Sequence, residues 1–536
     1  MSEINSDNRL FKQENYTTKK FALNSYQSIY DRSLYLYSKN KIQIFLSDDR
    51  PGVKPQHNYE INNRDIDEIK RVLPNVYKIV IANSIKSDDE LYQLIGDSNV
   101  TKIEGWNSAT HRLPQSLVSL SFSFYFNEPL ARGYLPAGLK KIDFNDSFNQ
   151  RLSPDILPPG LKSVRFGDDF QEDMDPGLFP ESVEKLNLSF YKKQLKPGVL
   201  PPNLKVLDTS SYFTVDGQPI AIERETLPNS LHTIKYLSST WIPVIRSLPN
   251  IQTLIFVDVT NENVNFELDQ LPPTVTNISI DSVYTVSGAL PTSVKHLFIK
   301  DCEYSFDDIF PVSTRHLYDL ERLGISQQES QLLPVNLKVR ILKIFNVFDL
   351  TKDAIPFGVE TVDFRNSVIT DDTTTPLPSS IKTLKATHQS ILGQIKTIPD
   401  SVETLKIRFM DGNPFPDVIK DNVRSLATFK ITTCIALPKS ITNIFSIQSK
   451  LAFGCQIRKL DKDMYIIFGE AYQKRFVASF FHEEDFLGEI LVLLFELKSP
   501  NSRVVFFVTC TSFEWESKNF EIKFLIGFEG FEVAPF

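Results

Sequence analysis

Five runs of neighbouring carboxylates mark where this chain could do acid–base chemistry: Asp88-Asp89-Glu90, Asp168-Asp169, Asp307-Asp308, Asp371-Asp372 and Glu483-Glu484-Asp485. Such chemistry needs two carboxyl groups facing each other across a cleft in unlike environments. Neighbours in one loop share the same solvent, so these runs read as solvated loop charge. His482-Glu483-Glu484-Asp485 begins like a zinc-protease helix, but the second histidine at helical spacing is absent. The seven histidines are scattered, without triad or metal spacing. Cys302, Cys434, Cys455 and Cys510 form no C-x-x-C pair and no zinc spacing, and they read as small buried hydrophobes. No catalytic, cofactor-binding or metal-ligating residue is nominated, and the expectation is a non-enzyme without cofactor.

Binding chemistry is easier to place. His296, Phe298 and Lys300 alternate along one stretch, and His316 and Tyr318 follow one coil later. Exposed aromatics flanked by cations are what protein-binding hot spots favour. A second group is basic: Thr383, Lys385 and Thr387 align with Thr404, Lys406 and Arg408, with Arg365 one coil earlier. Charges on adjacent coils add, so this group fits an acidic segment of a partner. The formal net charge of −8 argues against broad contact with nucleic acid or anionic lipid. The expected partner is therefore a protein of unknown identity. The sequence leaves the oligomeric state open.

These residues are positioned by a repeat. Pro114, Pro136, Pro158 and Pro180 are each 22 residues apart, a period that marks a solenoid. With the proline as position zero, position +3 holds Leu117, Leu139, Leu161, Val183 and Leu204, and position +6 holds Leu120, Ile142, Val164, Leu186 and Leu207. Phe122, Phe144, Phe166 and Leu188 take position +8. The +6/+8 alternation is that of a strand with one face buried. Phe126, Phe148 and Phe170 take +12, which makes phenylalanine, 41 residues in all, a rung residue. Asn127, Asn149 and Gln171 follow, placed to bond the backbone of the next coil. Positions +5, +7 and +9 must face the open side, and in the regular coils they are polar: Ser119, Ser121 and Ser123; Lys141, Asp143 and Asn145; Ser163 and Arg165; Lys185 and Asn187. The coil at Pro311 fits worst, because Asp319 falls on an apolar position.

The period continues to Leu437-Pro438. About 18 coils at about 4.8 Å per strand make an array on the order of 80 Å long. The fold class expected is mainly β with a few short helices: a parallel-β solenoid of about 22-residue coils, capped at both ends. Its divisions are an N-terminal cap over residues 1–72, the solenoid over 73–459 and a β-rich C-terminal cap over 460–536. The N-terminal cap combines a hairpin, Leu34–Tyr37 with Ile42–Leu46, and a short helix over Asp65–Val72; a second short helix starts near Ser87. No apolar leader precedes the array, and Phe486–Leu497 is too short and too charged to span a bilayer. Few cysteines in a long chain point to a reducing compartment, so a cytoplasmic protein without membrane contact is expected.

The pattern L-P-x-S-L-x-x-L-x-F followed by F-N-x-P-L resembles the FNIP repeat. Phe126-Asn127-Glu128-Pro129-Leu130 and Phe148-Asn149-Gln150-Arg151-Leu152 carry its core. The resemblance covers residues 113–200 closely and 201–447 loosely. It implies a curved, leucine-rich-repeat-like solenoid used for protein recognition. Some members of that family carry a kinase or F-box-like region. This chain has no Gly-rich loop, His-Arg-Asp or Asp-Phe-Gly, and residues 1–40 match no F-box. The function expected is a non-catalytic scaffold that binds a protein partner along its open face. The alternatives are a substrate adaptor in ubiquitin-linked turnover and an enzyme centred on the C-terminal β unit.

Overall fold

The structure is a computed structural model. It describes residues 42–47, 59–62, 66–81 and 89–364, the last without 189, 210–213, 216–217, 258–263, 282–283, 327–332, 335 and 346–354. Beyond these it describes 377–386, 398–407, 422–428, 440, 442–446, 454–459, 464–471, 475–482, 491–494, 504–505 and 507–510. The chain divides into two compact units, one of residues 40–363 and one of residues 1–39 with 364–536.

In the first unit every long strand pairs in parallel with the strand of the next coil. β1 (Ile42–Ser47) pairs with both β2 (Tyr59–Asn62) and β3 (Val76–Ile81). Between them α1 covers Ile66–Val72. The sequence pairs Ile42–Leu46 with Leu34–Tyr37 in a hairpin, but the strand is a rung of the parallel sheet, and 34–37 lie outside the described residues. Next come α2 (Asp89–Gly96), β4 (Lys102–Trp106) and β5 (Ser119–Phe122). Then follow β6 (Lys141–Asp143), β7 (Ser163–Arg165), β8 (Lys185–Asn187) and β9 (Val206–Asp208). The series continues with β10 (Thr233–Leu237), β11 (Thr253–Val257), β12 (Asn277–Asp281) and β13 (His296–Lys300). It ends with β14 (Asp319–Ser326), β15 (Lys338–Phe345) and β16 (Thr361–Phe364).

The proline has a specific local task. Its carbonyl accepts a hydrogen bond from the amide three residues on, as in Leu117 to Pro114 at 3.1 Å, Leu139 to Pro136 at 3.0 Å and Leu161 to Pro158 at 3.0 Å. Proline's fixed φ presets this turn. The turn delivers the chain to its strand two residues later, with Leu120, Ile142, Val164 and Leu186 buried. Behind the strands the +8 and +12 phenylalanines stack between coils. Phe122 to Phe144 is 5.7 Å between centroids, Phe144 to Phe166 is 5.0 Å, Phe126 to Phe148 is 5.9 Å and Phe148 to Phe170 is 6.2 Å. Stacked rings contribute about 0.5–1.5 kcal/mol per pair beyond the area they bury.

The expected amide ladder is present beside these rings. The Asn149 N–H donates to Asn127 Oδ1 at 2.9 Å, the Gln171 N–H to Asn149 Oδ1 at 2.9 Å, and the Lys192 N–H to Gln171 Oε1 at 3.0 Å. A side chain of one coil thus satisfies a backbone donor of the next, where the short strands have already ended.

The second unit continues the parallel plan through β17 (Thr383–Ala386), β18 (Thr404–Ile407), β19 (Ser425–Thr428) and β20 (Asn443–Ser446). Pairing then becomes antiparallel, through β21 (Gly454–Lys459), β22 (Met464–Ala471) and β23 (Arg475–His482). Among the described residues no helix is long and apolar enough to cross a membrane.

Candidate functional site

Parallel pairing lines up the open-face side chains into rows. One row reads Ser121, Asp143, Arg165, Asn187, Asp208, Lys235, Ile255, Ser279, Phe298, Gly324, Lys343. A parallel row reads Ser119, Lys141, Ser163, Lys185, Val206, Thr233, Thr253, Asn277, His296, Arg322, Ile341.

Over β5–β9 the face is polar apart from Val206 and partly ion-paired, with Lys141 and Lys185 exposed and in no ion pair among the described residues. Arg165 Nη1 lies 3.2 Å from both oxygens of Asp143. Glu184 lies between Lys162 at 2.7 Å and Lys205 at 2.9 Å, which hold its carboxyl down at about 2. Ser123 is the exception to the expected exposure: it is buried, and its Oγ donates to Asn107 Oδ1.

From β10 onward the face changes. β10 carries a bulge at Tyr236, whose φ is +60°, a region a bulky residue adopts only under constraint. The buried Thr209 hydroxyl holds it by donating to the carbonyls of Lys235 and Tyr236, both at 3.1 Å. Tyr236 is left 38% exposed. Ile255 and Val257 of β11 stand half-buried on the open face.

At β13 the Phe298 ring lies over Gly324 of β14. A Cβ at residue 324 would meet that ring at 2.3 Å, so only glycine admits it. Lys343 Nζ of β15 sits 5.2 Å from the ring centroid, a cation–π distance. His296 Nε2 is 3.4 Å from Glu321 Oε2, and Arg340 shares that carboxylate at 3.7 Å. Burial lowers the pKa of His296, which Glu321 opposes and Arg322 and Arg340 reinforce. Lys300 is held by both oxygens of Asp281 at 3.1 Å, which raises its pKa. Arg322, opposite His296, is exposed and makes no ion pair among the described residues.

The expected coil at Pro311 is corrected here. The proline turn does form, with the Thr314 N–H donating to the Pro311 carbonyl at 3.0 Å, but a 3-10 turn, Arg315–Leu317, follows. The strand therefore comes later, and the residues beside His296 and Phe298 are Arg322 and Gly324 rather than His316 and Tyr318. His316 is exposed on the turn, while Tyr318 is 1% exposed and its hydroxyl donates to the Leu290 carbonyl at 2.8 Å. Asp319 misses the apolar position because Leu320, Leu323 and Ile325 take the core positions.

In the other unit, Lys385 pairs in register with Lys406, and Thr383 with Thr404. Arg365, Thr387 and Arg408 lie outside the described residues.

The structure also assembles a serine, a histidine and an aspartate that sequence spacing did not flag. Ser108 Oγ lies 2.8 Å from His111 Nδ1, and His111 Nε2 lies 3.0 Å from Asp89 Oδ1. Ser108 is 3% exposed, and its Oγ accepts from the Thr110 and His111 amides at 3.2 and 3.1 Å. The hydroxyl is thus occupied in forming a turn under Trp106 and Tyr134, which both donate to the Ser108 carbonyl. The cluster ties the loop to α2. Among the described residues no group of three or more His, Cys, Asp or Glu is arranged to hold a metal ion.

No curated protein matches the chain. Among solved structures it is similar to CroV588, described as a novel circular LRR protein, at 17% identity over 70% of each chain with a TM-score of 0.41. The FNIP Repeat family matches residues 126–169, 148–190 and 170–212, the stretch of the stacked phenylalanines and the amide ladder.

Proposed function

We propose that the protein is a non-catalytic interaction scaffold that holds a protein partner on its open sheet face. The observation that carries this reading is the change along one row, from the ion-paired Asp143 and Arg165 to Ile255, Ser279, Phe298, Gly324 and Lys343. A face needed only for solubility gains nothing from aromatic and aliphatic groups on it, whereas a binding face draws its hot spots from them. The framework suits the task, since a solenoid presents one continuous surface built from consecutive coils. Lys385 and Lys406 form a second candidate contact, in the other unit. The partner is a protein, and the compartment assigned to the complex is the cytoplasm.

The test is affinity capture with wild type, a Phe298→Ala/Arg322→Ala face variant and an Arg132→Ala/Arg151→Ala control. The control cations are exposed, and among the described residues they form ion pairs with Asp155 and Asp175. Specific partners should be lost from the face variant and kept by the control. Recovery of the same partners by all three proteins would overturn the reading.

A further inference from the structure

We infer that the face formed by β13–β15 takes an acidic, extended polypeptide segment, with one or more carboxylates on Arg322 and Arg340 and an apolar side chain against Phe298. This rests on the scaffold reading and adds the chemistry of the partner.

The first argument is charge. On this face Arg165, Lys235 and Lys300 meet acids of an adjacent coil, Asp143, Asp208 at 3.7 Å and Asp281, whereas the exposed Lys141 and Lys185 make no ion pair among the described residues. At β14 a guanidinium in that state stands one row from Phe298. Arg322 projects to solvent without an acid, and Arg340 and His296 share the single carboxylate of Glu321. Lys343, one row away, lies over the Phe298 ring. A carboxylate arriving from outside therefore finds a guanidinium with all five donors uncommitted to acids, which is the group best suited to bind it.

The second argument is shape. The Phe298 ring occupies the space over residue 324, which has no Cβ, and stays half-buried, so it offers apolar surface close to the sheet. Ile255 and Val257 extend apolar surface two strands away. The five strand intervals from β10 to β15, at about 4.8 Å each, match about seven residues of extended chain at about 3.3 Å per residue. Alternate side chains of such a segment would face the sheet. The net charge of −8 makes a nucleic acid the less suitable source of anions.

The experiment is selection of a displayed random 12-residue peptide library on the whole protein, followed by fluorescence anisotropy of selected peptides. Enriched sequences should combine Asp or Glu with an aromatic or aliphatic residue, and binding should weaken between 50 and 300 mM salt. Arg322→Ala should lose about tenfold or more in affinity, as hot-spot arginines do. Replacing Asp and Glu of a selected peptide by Asn and Gln should cost as much. Phe298→Ala should weaken binding with the acid preference intact, and Arg132→Ala should bind as wild type. Circular dichroism shows that each variant is folded. If peptides without acid enrichment are selected and Phe298→Ala abolishes them, the acidic chemistry falls while the scaffold reading stands. If no selected peptide responds to either substitution, both fall. A single-stranded oligonucleotide displacing selected peptides more tightly than they bind would also overturn the inference.

Discussion

Two stretches of one unit use the same coil to opposite ends. From β5 to β9 the strands start at Ser119, Lys141, Ser163, Lys185 and Val206, an almost constant spacing. From β10 to β15 equivalent positions fall at Thr233, Thr253, Asn277, His296, Arg322 and Ile341, with intervals that swing from 19 to 26 residues. Constant spacing stacks like on like: phenylalanine on phenylalanine in the core and amide on amide beside it. Unequal spacing keeps the strand ladder but breaks those accessory ladders. The freed positions are where a bulge at Tyr236, a Phe298 ring over Gly324 and an exposed Arg322 occur. Regularity builds the frame, and departure from it builds the recognisable surface.

The largest effect should come from breaking the regular stretch. Phe148→Ala removes a fully buried ring that stacks on Phe126, Phe144 and Phe170, at an expected cost of about 3–5 kcal/mol. Urea unfolding would measure it, and hydrogen exchange should show the loss concentrated in the neighbouring coils, since each coil contacts only its neighbours. A uniform loss over the whole array would contradict this view of the frame.

A glycine pair sharpens the comparison. At Gly167 a Cβ would meet the Asn145 carbonyl oxygen at 1.9 Å, and that backbone has little room to yield. At Gly324 the obstacle is the Phe298 ring, which can swing aside. Gly167→Ala should cost about 3 kcal/mol and Gly324→Ala about 1 kcal/mol, both by denaturation. The second change should instead show in weakened peptide binding. Equal costs would mean that the ring is as fixed as the frame.

Asn149→Ala deprives the Gln171 amide of its acceptor, for an expected loss of about 1 kcal/mol. Thermal unfolding beside an Arg132→Ala control would show it.

The smallest effect concerns Glu184, whose carboxyl Lys162 and Lys205 hold at about 2, against an ordinary value of 4.5. Because its folded pKa is depressed, its contribution is present above pH 4.5 and is lost as pH falls towards about 2. The gap in melting temperature between wild type and Glu184→Gln should close over that window, and high salt should shrink it at neutral pH. A gap that persists at pH 2 would remove the ion pairs as its cause.

The sequence by itself determined the coil. Residue spacing placed Leu120, Ile142 and Val164 inward, put the phenylalanines in rungs and set Asn127, Asn149 and Gln171 to bond the next coil. These are local periodicities, and a period of two along a strand or of 22 along the chain fixes which side chains turn inward. Sequence also brought out His296, Phe298 and Lys300, but it could not sort them. Lys300 is absorbed by Asp281, His296 leans on Glu321, and Phe298 rests on Gly324. Tyr318 stands at an open-face position by count and is buried in fact, while Arg322, which no count singled out, stands exposed. Only the tertiary structure decided these outcomes. Charge and exposure on the face depend on which residue of the neighbouring coil lies alongside, 19 to 26 positions away, and one 3-10 turn at Arg315–Leu317 moves that partner without disturbing the hydrophobic pattern that sequence can read.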